Sequence, residues 1–348
     1  MTLIEKYQYP TPFPLYLKEY FSTHKNLGSR DRKQIKAWFY AYFKSDFLDF
    51  NLTVEEELKQ VLLSDFSGVL DPLKEHLQKE VRLASKFCFP LSNLMSSQVE
   101  RIATELKREK LVWLRPLTEN CIVDSNNIEE TVDGLYGLKP NTPLSMPSDS
   151  FQIQDWASFM AAKKCAVYVD KSKVWDICCG AGGKAMTILD NAPSADYYAS
   201  DIRPQIIVAL KKRIGARKII SGVVDLSHPA ENVHLGKSNL FHNTFDNIMA
   251  DVPCSGSGTW GRDPQHLRFF NETQLLYYVE LQRKIITNAL PFLKTGGRLF
   301  YLTCSIYENE NEAQLAFFKN QLNLQIEDSC YLNKTGSDTL FWAAMKKS

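Results

Sequence analysis

Cysteines, aspartates and a glycine-rich turn carry the chemistry that can be read from this chain. Cys254 stands in Asp251-Val252-Pro253-Cys254-Ser255-Gly256-Ser257-Gly258, and Cys304 in Thr303-Cys304-Ser305. Each follows a short apolar run, at 245–250 and 298–302. A single cysteine at such a place is ordinarily a small buried hydrophobe. Two at neighbouring strand ends, each beside a serine and near a ligand loop, read instead as nucleophiles. The loop is Asp176-Ile177-Cys178-Cys179-Gly180-Ala181-Gly182-Gly183-Lys184, where glycines let the backbone approach a ligand closely. Asp201 follows Asp176 by 25 residues, and Asp225 comes 24 later.

The turn is no phosphate cradle of the form G-x-x-x-x-G-K-[ST], because Cys178 occupies a glycine position and Ala185 the hydroxyl position. Nor is it a clean G-x-G-x-x-G. A nucleoside with a free ribose fits better. Asp201 can accept hydrogen bonds from both ribose hydroxyls. Asp225 can take an adenine amine or merely cap its own turn. S-adenosylmethionine has that form, and nothing marks a hydride acceptor for a nicotinamide dinucleotide. A sulfonium methyl donor also gives the thiols a use. Carbon 5 of a pyrimidine attacks such a methyl only after a thiolate adds to carbon 6 and turns the ring into an enamine. Asp251 suits the acid at ring nitrogen 3 if burial keeps it protonated. A second thiol can help release the adduct.

These groups need a frame of parallel strands. Strand-like runs at 173–177, 197–201, 218–223, 245–250 and 298–302 alternate with helical stretches at 205–213 and 273–293. The alternation predicts a doubly wound, mostly parallel α/β sheet with ligands at the carboxyl ends of its strands. Runs at 322–326 and 339–345 would close it as a hairpin. Residues 14–62 have helical spacing, interrupted at Gly28-Ser29 where a helix can start. We expect a helical domain over 1–84, a small α+β linker domain with an acidic seam over 85–149, and the catalytic domain over 150–348. The linker has a helix-like piece at 97–108 and a strand-like run at 111–114, and residues 140–147 have loop composition.

Composition bounds the class. The chain has 348 residues, 44% hydrophobic and 23% charged, and a formal net charge of +1, which excludes disordered and disulfide-scaffold proteins. Without an apolar run long enough to cross a bilayer, or a secretory leader, we expect a cytoplasmic protein with no membrane partner. Eight cysteines without C-x-x-C spacing predict reduced thiols and no metal. Charge is uneven. Arg203, Lys211, Lys212, Arg213, Arg217 and Lys218 form a basic run, Arg30, Arg32, Lys33 and Lys36 a second, while 116–150 carries six acidic residues and one basic.

Three ordered motifs resemble the Nop/Sun (Fmu-type) family of S-adenosylmethionine-dependent RNA cytosine-5 methyltransferases. DICCGAGGK at 176–184 is similar to its D-x-C-A-A-P-G-G-K, DVPCSGSG at 251–258 to its D-x-P-C-S-G-x-G, and YLTCSIYENENE at 301–312 to its Y-S-T-C-S…E-E-N-E. Residues 151–158 resemble its V-Q-D-x-A-S first helix, and 336–345 its closing strand. The resemblance implies that Cys304 attacks and Cys254 assists release, a choice chemistry alone leaves open. It also implies that Cys178, Cys179, Gly180, Ala181, Gly182, Gly183, Asp201, Arg203 and Asp225 line the cofactor, with Lys184 near its methionine carboxylate or the base, and Asp251 at both the cofactor and the cytosine. Departures are Cys179, Gly180 and Ala181 for A-A-P, Gly261 for the first arginine of R-R-x-P, and Leu302 for a serine.

The N-terminal helices resemble a NusB-like RNA-binding domain. That resemblance implies Arg30, Arg32, Lys33 and Lys36 on phosphates; Arg262, the arginine that remains of the methyltransferase family's R-R-x-P, is also expected to face RNA. The reading is a monomeric RNA cytosine-5 methyltransferase, with ribosomal RNA the preferred substrate and transfer RNA next. Two others are weighed against it: an RNA-binding assembly factor with a vestigial cofactor pocket, and an amino-group methyltransferase in which Asp-Val-Pro-Cys replaces [DN]-P-P-[YF].

Overall fold

The computed structural model describes residues 13–33, 35–36 and 110–348, except 120, 122, 141, 148, 216, 230–232, 237, 264–265 and 267–269. The chain divides into two compact units: Met1–Lys107 with Thr259–Asn271, and Arg108–Gly258 with Glu272–Ser348. In the first unit Phe13–Thr23 is a helix and buries Leu17. A second helical segment starts at Ser29, where the Asp31 carboxylate accepts the Gly28 amide at 2.8 Å. The expected helical positions Trp38, Phe39, Tyr42 and Phe43, and the expected helix at 97–108, lie outside the described residues.

The second unit begins with β1 (Val112–Pro116), β2 (Ile128–Val132), β3 (Leu135–Leu138) and β4 (Phe151–Ile153), an antiparallel sheet ordered β2-β3-β1-β4. The acidic seam thus contains a hairpin. Its turn is Asp133-Gly134, both at positive φ (55° and 82°), the conformation whose twist matches two paired strands. Residues 151–153, expected to open a helix, are strand β4 paired with β1. The helix begins only at Trp156 and runs to Val169, capped by the Asp155 carboxylate on the Ala157 amide.

Next come β5 (Lys173–Asp176), β6 (Asp196–Asp201), β7 (Ile219–Val223), a small hairpin of β8 (Val233–Leu235) and β9 (Ser238–Leu240), β10 (Phe245–Asp251), β11 (Leu293–Thr303), β12 (Leu324–Leu332) and β13 (Leu340–Lys347). The main sheet has the order β12-β13-β11-β10-β5-β6-β7. β5, β6, β7, β10 and β11 are parallel, while β13 runs antiparallel to β11 and β12. This is the expected doubly wound sheet with its closing hairpin. The chain leaves β5 toward β6 and β7 and returns on the other side at β10, so the strand order reverses between β5 and β10. Such a reversal opens a crevice at the carboxyl ends.

Strand alternation feeds two cores. Val174, Ala199, Met249 and Phe300 point to one face, with Ala161 and Cys165 of Trp156–Val169, Ile188 of Gly183–Asn191 and Leu210 of Pro204–Ile214. Trp175, Tyr198, Ile248 and Leu299 point to the other, with Ile286 of Glu272–Ala289 and Phe318 of Glu312–Leu322. A sheet covered on both faces explains its near-continuous apolar strands. The helix expected to reach residue 293 stops at Ala289. There Pro291 sits in a 3-10 turn, Leu290–Phe292, and β11 starts at Leu293.

Within this core Asp176 ends β5 with no exposure. Tyr197 of β6 donates its hydroxyl to Oδ2 at 3.0 Å, and Oδ1 has no partner. Burial first, and the Asp251 charge second, push its pKa up to about 8. The folded value lies above the unfolded one, so the contribution of Asp176 to stability is full below the ordinary carboxyl range and is lost as pH rises toward 8. Asp176→Asn removes that slope. We expect the unfolding free energy of the variant, relative to the parent, to rise between about pH 4 and about pH 8 by on the order of a few kcal/mol. A difference constant with pH in denaturant titrations would contradict this.

Candidate active site

The crevice is walled by the carboxyl ends of β6, β5, β10 and β11. The glycine turn leaves β5 with the Ile177 amide still bonded to Met249 and the Cys179 amide to Ser200. It then bends through Gly180 (φ 51°) and Gly182 (φ 82°). A Cβ at Gly182 would lie 2.4 Å from Leu210 Cδ1, whereas beside Gly180 there is open space. The turn therefore packs at one glycine and offers room at the other. Gly182 caps the helix Gly183–Asn191. The Gly183 carbonyl accepts amide protons from Gln154 at 3.2 Å and Gln152 at 3.4 Å. Ala181 stays half-exposed. Burial raises the Cys178 and Cys179 thiols, so both remain protonated parts of the wall.

Asp201 sits beside Gly180, whose amide donates to Oδ2 at 3.2 Å. Arg203 grips the same carboxylate with Nε at 2.9 Å and Nη2 at 3.0 Å. Burial opposes the charge on Asp201, but the Arg203 bonds outweigh it and lower the pKa. Asp225 is different. Its carboxylate accepts the Ser227 amide at 2.8 Å and faces the His228 ring. It thus caps its own turn, with 41% of its side chain exposed.

Cys254 and Cys304 come together, with Sγ···Sγ 3.3 Å, although 50 residues separate them. All seven described cysteines are free. The hydrogen bond to Cys304, then burial and nearby charge, hold the Cys254 thiol well above its usual range. Cys254 therefore keeps its proton beside the Cys304 sulfur. Close packing fixes the Cys304 end: its carbonyl accepts the Gly258 amide at 2.9 Å, and a Cβ at Gly258 would lie 2.1 Å from the Thr339 oxygen.

Lys184 and Asp251 form an ion pair across the crevice at 2.7 Å. Burial works against the ammonium, but the Asp251 carboxylate more than compensates, and Lys184 is raised. Burial was the condition on which Asp251 could serve as the acid; its side chain is 31% exposed and its partner is the Lys184 ammonium. That pairing, between groups 67 residues apart, was not foreseen.

Sequence reasoning also passed over the groups beneath the cysteines. Glu310 is fully buried and accepts the Ser255 amide at 2.9 Å. Gln282, Ser257 and Ser305 complete this layer. Glu310 lies inside the quoted 301–312 motif, which was the available signal.

The residues expected to contact RNA belong to the first unit. Arg30, Lys33 and Lys36 are exposed on the N-terminal unit, whereas Arg32 is turned inward, bonded to the Leu27 carbonyl at 2.9 Å and 5.6 Å from the Phe21 ring centroid. Arg262 is exposed in the same unit. Among the described residues no acid, histidine and cysteine cluster could hold a metal, and no helix is long and apolar enough to cross a membrane.

Residues 167–339 match the family model described as 16S rRNA methyltransferase RsmB/F. Ribosomal RNA small subunit methyltransferase B of Salmonella arizonae is 31% identical over 273 residues, 71% of this chain and 58% of that protein. The protein of the same name from Proteus mirabilis is 29% identical over 195 residues, 54% of this chain and 44% of that protein. The chain thus spans about half the length of these relatives. Among solved structures, PH0851 superposes with a TM-score of 0.71 at 18% identity, covering 99% of this chain and 96% of that one. A methyltransferase homolog protein from Pyrococcus horikoshii gives 0.56 at 18% identity, covering 80% and 100%. At such identities the likeness concerns the fold alone. Residues 167–339 thus form a methyltransferase domain of the RsmB/F type.

Proposed function

We propose that this chain is an S-adenosylmethionine-dependent RNA cytosine-5 methyltransferase acting on ribosomal RNA. The observation that carries the reading is the approach of two thiols to 3.3 Å at adjacent strand ends, beside an ammonium–carboxylate pair at 2.7 Å. Methyl transfer to oxygen or nitrogen needs no thiol, and transfer to pyrimidine carbon 5 needs at least one. The ribosomal substrate is the one the curated relatives' names carry.

The chain's own groups fit a nucleoside cofactor. The open space beside Gly180 adjoins a buried carboxylate, Asp201, whose proton-free state suits two ribose hydroxyls. Arg203 would share or release Asp201 on binding. Bound there, S-adenosylmethionine would supply an electrophilic methyl. Asp225, Cys178, Cys179, Ala181, Gly182 and Gly183 form the rest of that wall in this reading.

Toward the base, Cys304 attacks carbon 6 of a cytosine turned out of its stack. Lys184 and Asp251 deliver a proton to ring nitrogen 3, so the charge pushed into the ring is neutralised as the carbon–sulfur bond forms. Once Cys304 is a neutral thioether, the main cause raising Cys254 is gone. Cys254 then gives up its proton more readily and is left as a thiolate beside the adduct. Carbon 5, electron-rich in the adduct, takes the methyl; the Cys254 thiolate, its own proton passed to solvent, then takes the carbon 5 proton, the carbon–sulfur bond breaks to return the Cys304 thiolate, and ring nitrogen 3 gives its proton back to Lys184 and Asp251. The domain division at 84 and 149, phosphate contacts by Arg30, Arg32, Lys33, Lys36 and Arg262, and a monomeric, cytoplasmic enzyme belong to the same proposal.

Incubated with ribosomal RNA and cofactor, Cys304→Ala is expected to lose at least about 10³-fold in methylation and to leave no denaturant-stable adduct. Cys254→Ala should accumulate a protein–RNA adduct on denaturing gels. Reversed behaviours would overturn the assignment of attack and release. Gly182→Ala strains a positive φ and meets Leu210, so calorimetric affinity for S-adenosylmethionine should fall about tenfold or more. Unchanged affinity would remove the turn from the cofactor site.

A further inference from the structure

Adjacent residues, Glu310 and Asn311, bracket the two cysteines from below. Both are fully buried. The Glu310 carboxylate accepts the Ser255 amide at 2.9 Å, the Ser255 hydroxyl and Gln282 Nε2 at 3.0 Å. The same Gln282 nitrogen donates to the Pro253 carbonyl at 3.0 Å. Both neighbours of Cys254 in the chain are therefore tied to Glu310, one directly and one through Gln282. Asn311 treats Cys304 in the same way. Thr303 donates its hydroxyl to Asn311 Oδ1, and Asn311 Nδ2 donates to the Ser305 carbonyl at 2.9 Å. The hydroxyls of Ser255 and Ser305, 3.3 Å apart, join the brackets, with Ser257 between them.

We propose that Glu310 and Asn311 are positioning residues with divided duties: Glu310 sets Cys254 for release, and Asn311 sets Cys304 for attack. This rests on the cytosine-5 reading above and adds to it two residues that touch neither base nor cofactor. The physical ground is that loops are soft while buried, fully satisfied hydrogen-bond networks are stiff. Reacting sulfurs at the tips of two loops hold a fixed separation only if something beneath both loops is shared. Glu310 and Asn311 are joined by one peptide bond, so neither bracket can shift without the other. A displacement near 1 Å in such a geometry costs on the order of 10²-fold in rate.

The test uses the full chain, ribosomal RNA and S-adenosylmethionine, and measures adduct formation, adduct resolution and the unfolding temperature. Glu310→Gln turns an acceptor oxygen into an N–H facing the Ser255 donors. It should slow resolution about tenfold or more, so that adduct accumulates as in Cys254→Ala, with formation little changed. Asn311→Asp loses the donor to Ser305 and should slow formation without accumulating adduct. Ser255→Ala, which keeps the amide bond to Glu310, should shift the balance in the direction of Glu310→Gln but less, and guards against a Glu310 variant that fails to fold. Equal slowing of both steps in all three variants, alongside a lowered unfolding temperature, would overturn the division of duties. If Cys254→Ala gives adduct but neither Glu310→Gln nor Ser255→Ala does, the inference fails while the cytosine-5 reading stands. If Cys254→Ala gives none, that reading fails first.

Discussion

A sulfur–sulfur approach of 3.3 Å asks much of a fold when its two members come from loops 50 residues apart. Neither loop could hold its thiol in place alone. The constraint is met in three layers. β10 and β11 pair in parallel to Asp251 and Leu302, which brings the two loop origins side by side. Gly258 then lets the first loop dock on the Cys304 carbonyl and Thr339 without a side chain in the way. Beneath both, buried side chains take up the polar groups that flank each cysteine. Burying so many polar groups costs free energy unless each finds a partner, and here they find one another.

The side of the crevice proposed for the cofactor obeys a different logic. There the turn is thin, Gly180 faces open space, and the one strongly ionised group, Asp201, is balanced by Arg203, an arginine with 56% of its side chain exposed. An exposed partner can move aside for a ligand at small cost, which a buried one cannot. Asp176, by contrast, is sealed in the core, and its proton is held by lack of solvent. The proposed base side lies between these extremes, with Lys184 largely covered and Asp251 partly open.

Much of the second unit was legible because the strands of its main sheet are buried on both faces and so read as unbroken apolar runs with acidic or cysteine ends. The runs at 173, 197, 218, 245 and 298 all became strands of the main sheet. What escaped has physical reasons. The hairpin at Asp133-Gly134 hid in an acidic stretch because both strands are short and β2 is half-exposed, though Asp-Gly was a turn signal. The helix Trp156–Val169 is apolar on most sides, and that blurs helical periodicity. For the site, residue types gave the thiols and aspartates, but pairings such as Lys184 with Asp251, or Asn311 with Thr303, depend on tertiary approach. Asp225 was read with two roles, and the geometry has it capping Ser227.

In the proposed mechanism Cys304, not Cys254, forms the bond to the base. RNA containing 5-fluorocytosine tests this most directly, since fluorine at carbon 5 cannot be abstracted as a proton and the covalent species persists. After incubation with S-adenosylmethionine, digestion and mass spectrometry should find a methylated fluorocytidine on the peptide containing Cys304, with Cys254 unmodified. The modification on Cys254, or on no cysteine, would contradict the account.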